Sequence, residues 1–411
     1  MDTAALKREA DQITSRWPTV GLALGVVRDG ELALFHGHGL ADIATRTPVT
    51  ADTVFRIASV TKTFTAAGIA LLQGEGKLKL EDGLDVHLPQ FAPARKIKLL
   101  HLLAHQSGLD NPDYDSIAAR KVSPDELLAM IGAKPLRFEP GSDSRYSNAG
   151  YITLARVIEK ASGRRFGEFL GQRIFSPLGM ADSGTLASGV ITPRLAEGYV
   201  PGVGTGLRRP PPQDPSSLYG SGNVYSTAAD LDRWLTAIDH HELFDIAKQA
   251  YPFGWGKRTW FDKQVLVQSG IINGYSSIIL TVPQEELHII VLMNTQSGFT
   301  GDEGKTLLGI AAGQRPTLPA RRAAPATVPR ATLERHAGLY LWGTGKVPMH
   351  LETDGEELTL RWADSSSAVP LTPLSEREFL DRTSFGRIRF EEHGLVWTQN
   401  GEDTPASRGN E

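Results

Sequence analysis

Residues 57–65 read Ile57-Ala58-Ser59-Val60-Thr61-Lys62-Thr63-Phe64-Thr65 and open an apolar stretch with helical patterning that extends to about residue 73. A spacing of three places the hydroxyl of Ser59 and the amine of Lys62 on one helical face, within reach of each other. A serine hydroxyl is a weak nucleophile that needs a base, and a lysine desolvated at a partly buried site can lose enough basicity to serve as one. The helix start also offers backbone N–H groups suited to a developing oxyanion. Taken alone, Ser-x-x-Lys is a weak signal, because an N-cap serine followed by a solvent-facing lysine gives the same tetrapeptide.

A second stretch, residues 137–182, contains Tyr146-Ser147-Asn148 on a loop leading into a helix. A phenol there can pass a proton to a leaving group, and an amide can hold a substrate and the lysine in place. A tyrosine beside a helix cap and an asparagine in a turn is the plainer reading of the same residues.

The surrounding chain supplies a frame for these residues. Residues 20–27 read as a strand, Arg28-Asp29-Gly30-Glu31 as a hairpin turn and residues 32–36 as its return, because Asp-Gly tolerates the positive φ angles of tight turns. Residues 264–268, 276–282 and 287–293 read as three further strands. Helical segments fall between the two groups, at 59–73, 96–104, 123–132, 149–161, 166–174 and 227–238. Strands at both ends and helices between them predict an α/β (α+β) domain in which an antiparallel sheet is flanked by helices, with a helical subdomain inserted. Residues 313–332 are rich in proline, alanine and arginine and read as a linker. Short alternating runs at 338–342, 349–353, 357–362, 378–381, 387–391 and 395–399 predict a small all-β barrel-like domain. The expected organisation is therefore 1–312 catalytic domain, 313–332 linker, 333–405 β domain and 406–411 tail, with residues 401–411 read as loose.

The chain has 411 residues, 40% apolar and 22% charged, with 43 basic against 47 acidic side chains for a formal net charge of -4. That balance, with no concentrated basic run, argues against a nucleic-acid partner. The absence of cysteine excludes disulfides, thiolate catalysis and cysteine metal sites. No apolar run approaches the roughly 20 residues of a membrane span, and the N-terminus lacks the features of a signal peptide, so a cytoplasmic protein is the default expectation. The composition leaves homo-oligomerisation open.

With these residues in view, the chain resembles the serine β-lactamase and penicillin-binding protein superfamily, specifically the class C β-lactamase-related branch of D-alanyl-D-alanine carboxypeptidases, D-aminopeptidases, esterases and acyltransferases. The likeness covers about residues 10–310. It runs through Phe55-Arg56-Ile57-Ala58-Ser59, residues 101–109 (HLLAHQSGL), Phe138-Glu139-Pro140-Gly141, Ser176-Pro177-Leu178-Gly179-Met180 and residues 225–231 (YSTAADL). It implies the β-lactamase-like transpeptidase fold, with Ser59, Lys62 and Tyr146 catalytic and Asn148 orienting substrate and Lys62. The C-terminal domain is similar to the lipocalin-like barrels appended to some relatives.

The third motif departs from the pattern. The resemblance implies Lys or His, then Ser or Thr, then Gly, where this chain has Gln268-Ser269-Gly270-Ile271. Glutamine exchanges hydrogen bonds but carries no charge to attract a substrate carboxylate. By the same resemblance Ile271 supplies an oxyanion N–H, paired with that of Ser59. The expectation is a serine hydrolase acting through a Ser59 acyl-enzyme on a small-molecule or peptide ester or amide, with no cofactor. The alternatives are an acyltransferase or peptide-cyclising thioesterase using the same intermediate, and a non-catalytic binding homologue motivated by Gln268. His101 and His105, at i and i+4, lack the partners of a helical metal site and read as structural. Tyr219 to Asn223 are binding candidates at most.

Overall fold

The computed structural model describes residues 1–16, 19–186, 192–201, 207–240, 253–296, 301–314, 326–343, 346–362, 368–381, 386–399 and 402–409. Contacts divide the chain into two compact units, the larger built mainly from Thr19–Gln296 and the smaller mainly from Pro316–Glu411.

In the larger unit, the Val- and Leu-rich run forms strand β1 (Gly21–Arg28), and Asp29 and Gly30 turn the chain with φ of 54° and 74° into β2 (Glu31–Asp42). Two positive φ values in succession are what a two-residue hairpin turn requires. After β3 (Thr47–Pro48), the sheet is completed late in the chain by β4 (Gly256–Trp260), β5 (Lys263–Ile272), β6 (Tyr275–Val282) and β7 (Leu287–Met293). The order is β3-β2-β1-β7-β6-β5-β4, antiparallel throughout. Strands β6 and β7 are buried along their whole length, as continuous apolar runs covered on both faces should be. Edge strand β4, GKRTW, was not expected: its side chains are mostly exposed, so it carries no apolar alternation to read.

Helix α1 (Thr3–Arg16) precedes the sheet, and α2 (Thr61–Gly74), α3 (Asn148–Ser162) and α4 (Ala228–Asp239) lie between its two halves in sequence. Each of the last two starts at a hydroxyl cap. Ser147 Oγ accepts the Gly150 N–H at 3.2 Å, and Thr227 Oγ1 accepts that of Asp230 at 3.1 Å. Residues 61–72 of α2 are all buried, in one core with α3, α4, β6 and β7 that includes Phe64, Ile158, Trp234, Ile279 and Ile290. Helix α2 packs closely on α3 at Gly68, where a Cβ would stand 2.8 Å from Ile158 Cδ1 and the end of that side chain would have to shift. Among the described residues no helix is long and apolar enough to cross a membrane.

The smaller unit is a closed antiparallel barrel of eight strands: β8 (Gly338–Trp342), β9 (Val347–Thr353), β10 (Leu358–Trp362), β11 (Val369–Pro373), β12 (Glu378–Asp381), β13 (Arg387–Glu391), β14 (Gly394–Gln399) and β15 (Glu402–Arg408). Alternate residues such as Met349 and Leu351, Ile388 and Phe390, and Leu395 and Trp397 fill the interior, as expected at this strand number. Helix α5 (Arg330–His336) precedes it, and the His336 ring stacks on Phe390 at 3.7 Å.

Two boundaries are corrected. Residues 402–408, read as part of a loose tail, form β15 and close the barrel against β14 and β8, so Ala406, Ser407 and Arg408 belong to the barrel. The proposed linker 313–332 overruns into α5, while its residues 315–325 lie outside those described.

Candidate active site

Ser59 sits on a single 3-10 turn, Ala58–Val60, immediately ahead of α2. The turn is fixed on both sides. Phe55 and Arg56 pair with Ser226 and Tyr225, the Ile57 N–H donates to the Val224 carbonyl at 3.1 Å, and the Val224 N–H donates to Thr61 Oγ1 at 3.0 Å. Ala58 has φ of 49°, a left-handed conformation that a non-glycine residue holds only when its surroundings impose it. Strand β5 supplies part of that constraint. A Cβ on Gly270 would lie 2.6 Å from both the Ile57 carbonyl oxygen and the Ser59 nitrogen, so only glycine lets the strand approach the serine backbone. Ser277 Oγ of β6 donates to the Ile57 carbonyl at 2.8 Å, and Gln268 Nε2 donates to the Ser59 carbonyl at 3.0 Å.

Lys62, one turn on, is fully buried. Its Nζ lies 3.0 Å from Ser59 Oγ, 2.8 Å from Asn148 Oδ1 and 2.9 Å from the Ser221 carbonyl oxygen. Two of these partners can only accept. Three contacts to oxygen match the three N–H groups of an ammonium, and equally the two N–H groups and one lone pair of a neutral amine. Burial favours that neutral state, pushing the Lys62 pKa well below its ordinary 10.5. Nζ thus stands within proton-transfer distance of the hydroxyl, and burial favours its uncharged form.

Tyr146 completes the arrangement, its hydroxyl donating to Ser59 Oγ at 2.7 Å. Desolvation raises its pKa, against the lowering effect of that hydrogen bond, so the phenol is protonated at neutral pH. Its ring rests on His105, with centroids 4.8 Å apart. His105 Nδ1 accepts the Ser147 N–H at 3.1 Å, and burial, with Lys62 nearby, pushes its pKa down to about 4. It is thus a neutral strut under the tyrosine, in keeping with a structural part.

The structure brings Ser59, Lys62, Tyr146, Asn148, Gln268 and Gly270 together. Ser269 stands exposed on β5 and Ile271 is half-buried beside it. Two contributions, Asn111 and Tyr114, had no motif to announce them, and a third falls in the 219–223 stretch named as a binding candidate. Asn111 Oδ1 accepts the N–H groups of Asn148 and Ala149 at 2.9 and 3.1 Å, capping α3 and setting the position of Asn148. The Ser221 main chain holds Lys62. The buried hydroxyl of Tyr114 lies in the electrostatic reach of Asn148, Tyr146 and Ser221, and desolvation holds it protonated. Main-chain acceptors and lone capping residues leave no periodic trace in a sequence.

Replacing Gly270 with alanine is expected to push β5 off the Ser59 turn and slow acylation by about 10²-fold, the scale of losing one oxyanion donor. Measured burst rates, with circular dichroism to verify folding, check this; an unchanged rate would show that the close approach is dispensable.

A family model described as Beta-lactamase matches residues 10–313. Penicillin-binding protein 4* of Bacillus subtilis (strain 168) is 29% identical over 400 residues, covering 88% of this chain and 88% of its own. A D-aminopeptidase of Brucella anthropi is 26% identical over 441 residues, covering 98% of this chain and 83% of its own. Among solved structures, the octameric penicillin-binding protein homologue from Pyrococcus abyssi superposes with a TM-score of 0.68 at 22% identity, over 99% of this chain and 100% of that one, and so shares the fold.

Proposed function

This chain belongs to the Beta-lactamase family and is a serine hydrolase of that type, and from this premise we propose that it cleaves D-amino-acid amides, small peptides or esters through an acyl-enzyme on Ser59. The observation that carries the reading is the placing of the fully buried Lys62 Nζ 3.0 Å from Ser59 Oγ, where burial favours its uncharged, proton-accepting form. In the proposed cycle Ser59 Oγ attacks the substrate carbonyl as its proton passes to Lys62, and the oxyanion is held by the backbone N–H groups of Ser59 and Ile271. The bond to the leaving group breaks as Tyr146 donates a proton to it, and Lys62 restores the proton to Tyr146. Water then attacks the acyl-enzyme, giving the free acid and the Ser59 hydroxyl. Asn148 orients both substrate and Lys62.

Gln268 supports uncharged substrate ends. Its amide is engaged with the Ser59 carbonyl, and no cation stands at this position to receive a terminal carboxylate. The D-aminopeptidase among the relatives is named for D-amino-acid substrates, which fits an amide-cleaving role. A panel of D-amino-acid amides, p-nitrophenyl esters, a D-Ala-D-Ala peptide and nitrocefin tests this. The wild type is expected to prefer the neutral substrates, and Gln268→His to raise relative kcat/KM for the carboxylate-ended ones by about 10-fold, the scale of one charge-assisted hydrogen bond. A wild type that favours carboxylate-ended substrates, with no change in Gln268→His, would remove the specificity reading.

A further inference from the structure

Outside the site around Ser59, two histidines and an aspartate converge on the sheet. Side chains alternate along β2. Phe35 packs into the core that contains α2, while His36 and His38, in register with Leu24 and Leu22 of β1, lie on the opposite face. Helix α1 brings Asp11 to the same place, with Leu6 and Ala10 of that helix buried. Asp11 Oδ1 stands 2.9 Å from His36 Nε2 and 3.0 Å from His38 Nδ1, and the three potential ligand atoms all lie within 4.8 Å of one another.

We infer that Asp11, His36 and His38 form a binding site for a divalent transition-metal ion of the zinc class, which ties α1 to β2. Zinc with ligands at about 2.0–2.1 Å in tetrahedral geometry separates its ligand atoms by about 3.3 Å. Two of the three separations are therefore within a few tenths of an ångström of the required value. Two imidazoles and one carboxylate suit zinc, cobalt, nickel or copper; magnesium and calcium prefer all-oxygen shells. The side chains are 20%, 39% and 49% exposed for His36, His38 and Asp11, which leaves an entry path and room for a water as fourth ligand. A single carboxylate oxygen shared by two imidazole nitrogens is also the arrangement that an ion, replacing the two shared protons, would occupy with little movement. The cluster lies on the sheet face away from α2, so the ion is a clamp with no part in the chemistry at Ser59, and this inference stands apart from the proposed hydrolysis.

The test is a calorimetric titration of chelator-stripped full-length protein with zinc chloride, paired with the visible spectrum of the cobalt(II) form. One equivalent bound in the micromolar range or tighter, undisturbed by excess magnesium, is expected. His36→Ala and His38→Ala should each weaken it at least 10-fold, and Asp11→Asn should weaken it while keeping the helix contact. Cobalt should give the intense absorption of a four-coordinate site, a readout that needs no variant. Absence of binding, stoichiometric binding that persists in the double histidine variant, or a weak six-coordinate cobalt spectrum would each overturn the assignment.

Discussion

A Ser59→Ala variant is expected to lose at least about 10⁴-fold in kcat/KM on every substrate the wild type turns over, because no acyl-enzyme can form and only binding and oxyanion contacts remain. Folding should be unaffected. Among the described residues the hydroxyl is hydrogen-bonded by Lys62 and Tyr146, and the turn that carries it is held by main-chain bonds and by Gly270, none of which the substitution touches. Steady-state kinetics beside a thermal melt separates the two effects. A variant that keeps a tenth of the activity would show that the reacting group lies elsewhere.

Lys62→Met carries the second large expectation, a loss of about 10³-fold in acylation rate, the middle of the range for a positioned general base. The pH dependence supplies the more specific signature. The base must be neutral to act, and burial lowers its pKa well below 10.5. Activity should therefore rise with pH through that lowered value and be retained above it, with the rising limb far to the acid side of an ordinary lysine. Methionine should abolish the limb as well as the rate. His105 contributes nothing to the limb above about pH 5, since it is already neutral there, with its pKa pushed down to about 4. An unchanged limb in Lys62→Met would assign the titration, and the base, to another group.

Much of this site was readable because its chemistry lies in fixed short spacings. Ser59 and Lys62 are three apart, Tyr146 and Asn148 are two apart, and Gln268 and Gly270 share one face of a strand. The 3-10 turn at Ser59 alters the local helix type, yet a separation of three keeps both groups on one side in either geometry. What could not be read is how distant segments serve these groups. Asn111 sits in an unremarkable Asp-Asn-Pro stretch, and the Ser221 carbonyl is a main-chain atom whose residue type has no bearing on its contact with Lys62. The consequence of Gln268 was legible only as a missing charge; that its amide would bond to the Ser59 carbonyl depends on β5 approaching through Gly270.

The central strands of the sheet and helices α2, α3 and α4 followed from apolar period, and the strands that were missed share a cause. Strand β15, EDTPASR, buries little beyond Ala406 and is held by hydrogen bonds to β14 and β8. Strand β11 contains two prolines and pairs over short registers. Barrel closure satisfies such backbones whatever side chains they carry, so hydrophobic patterning is silent where main-chain pairing dominates.

The most direct measurement is covalent labelling of the full-length protein by a fluorophosphonate, followed by intact mass and peptide mapping. A single adduct is predicted, placed on Ser59, formed rapidly in the wild type, slowly in Lys62→Met and not at all in Ser59→Ala. An adduct on any other residue, or an unlabelled wild type under conditions where it turns over substrate, would contradict the assignment of Ser59 as the nucleophile.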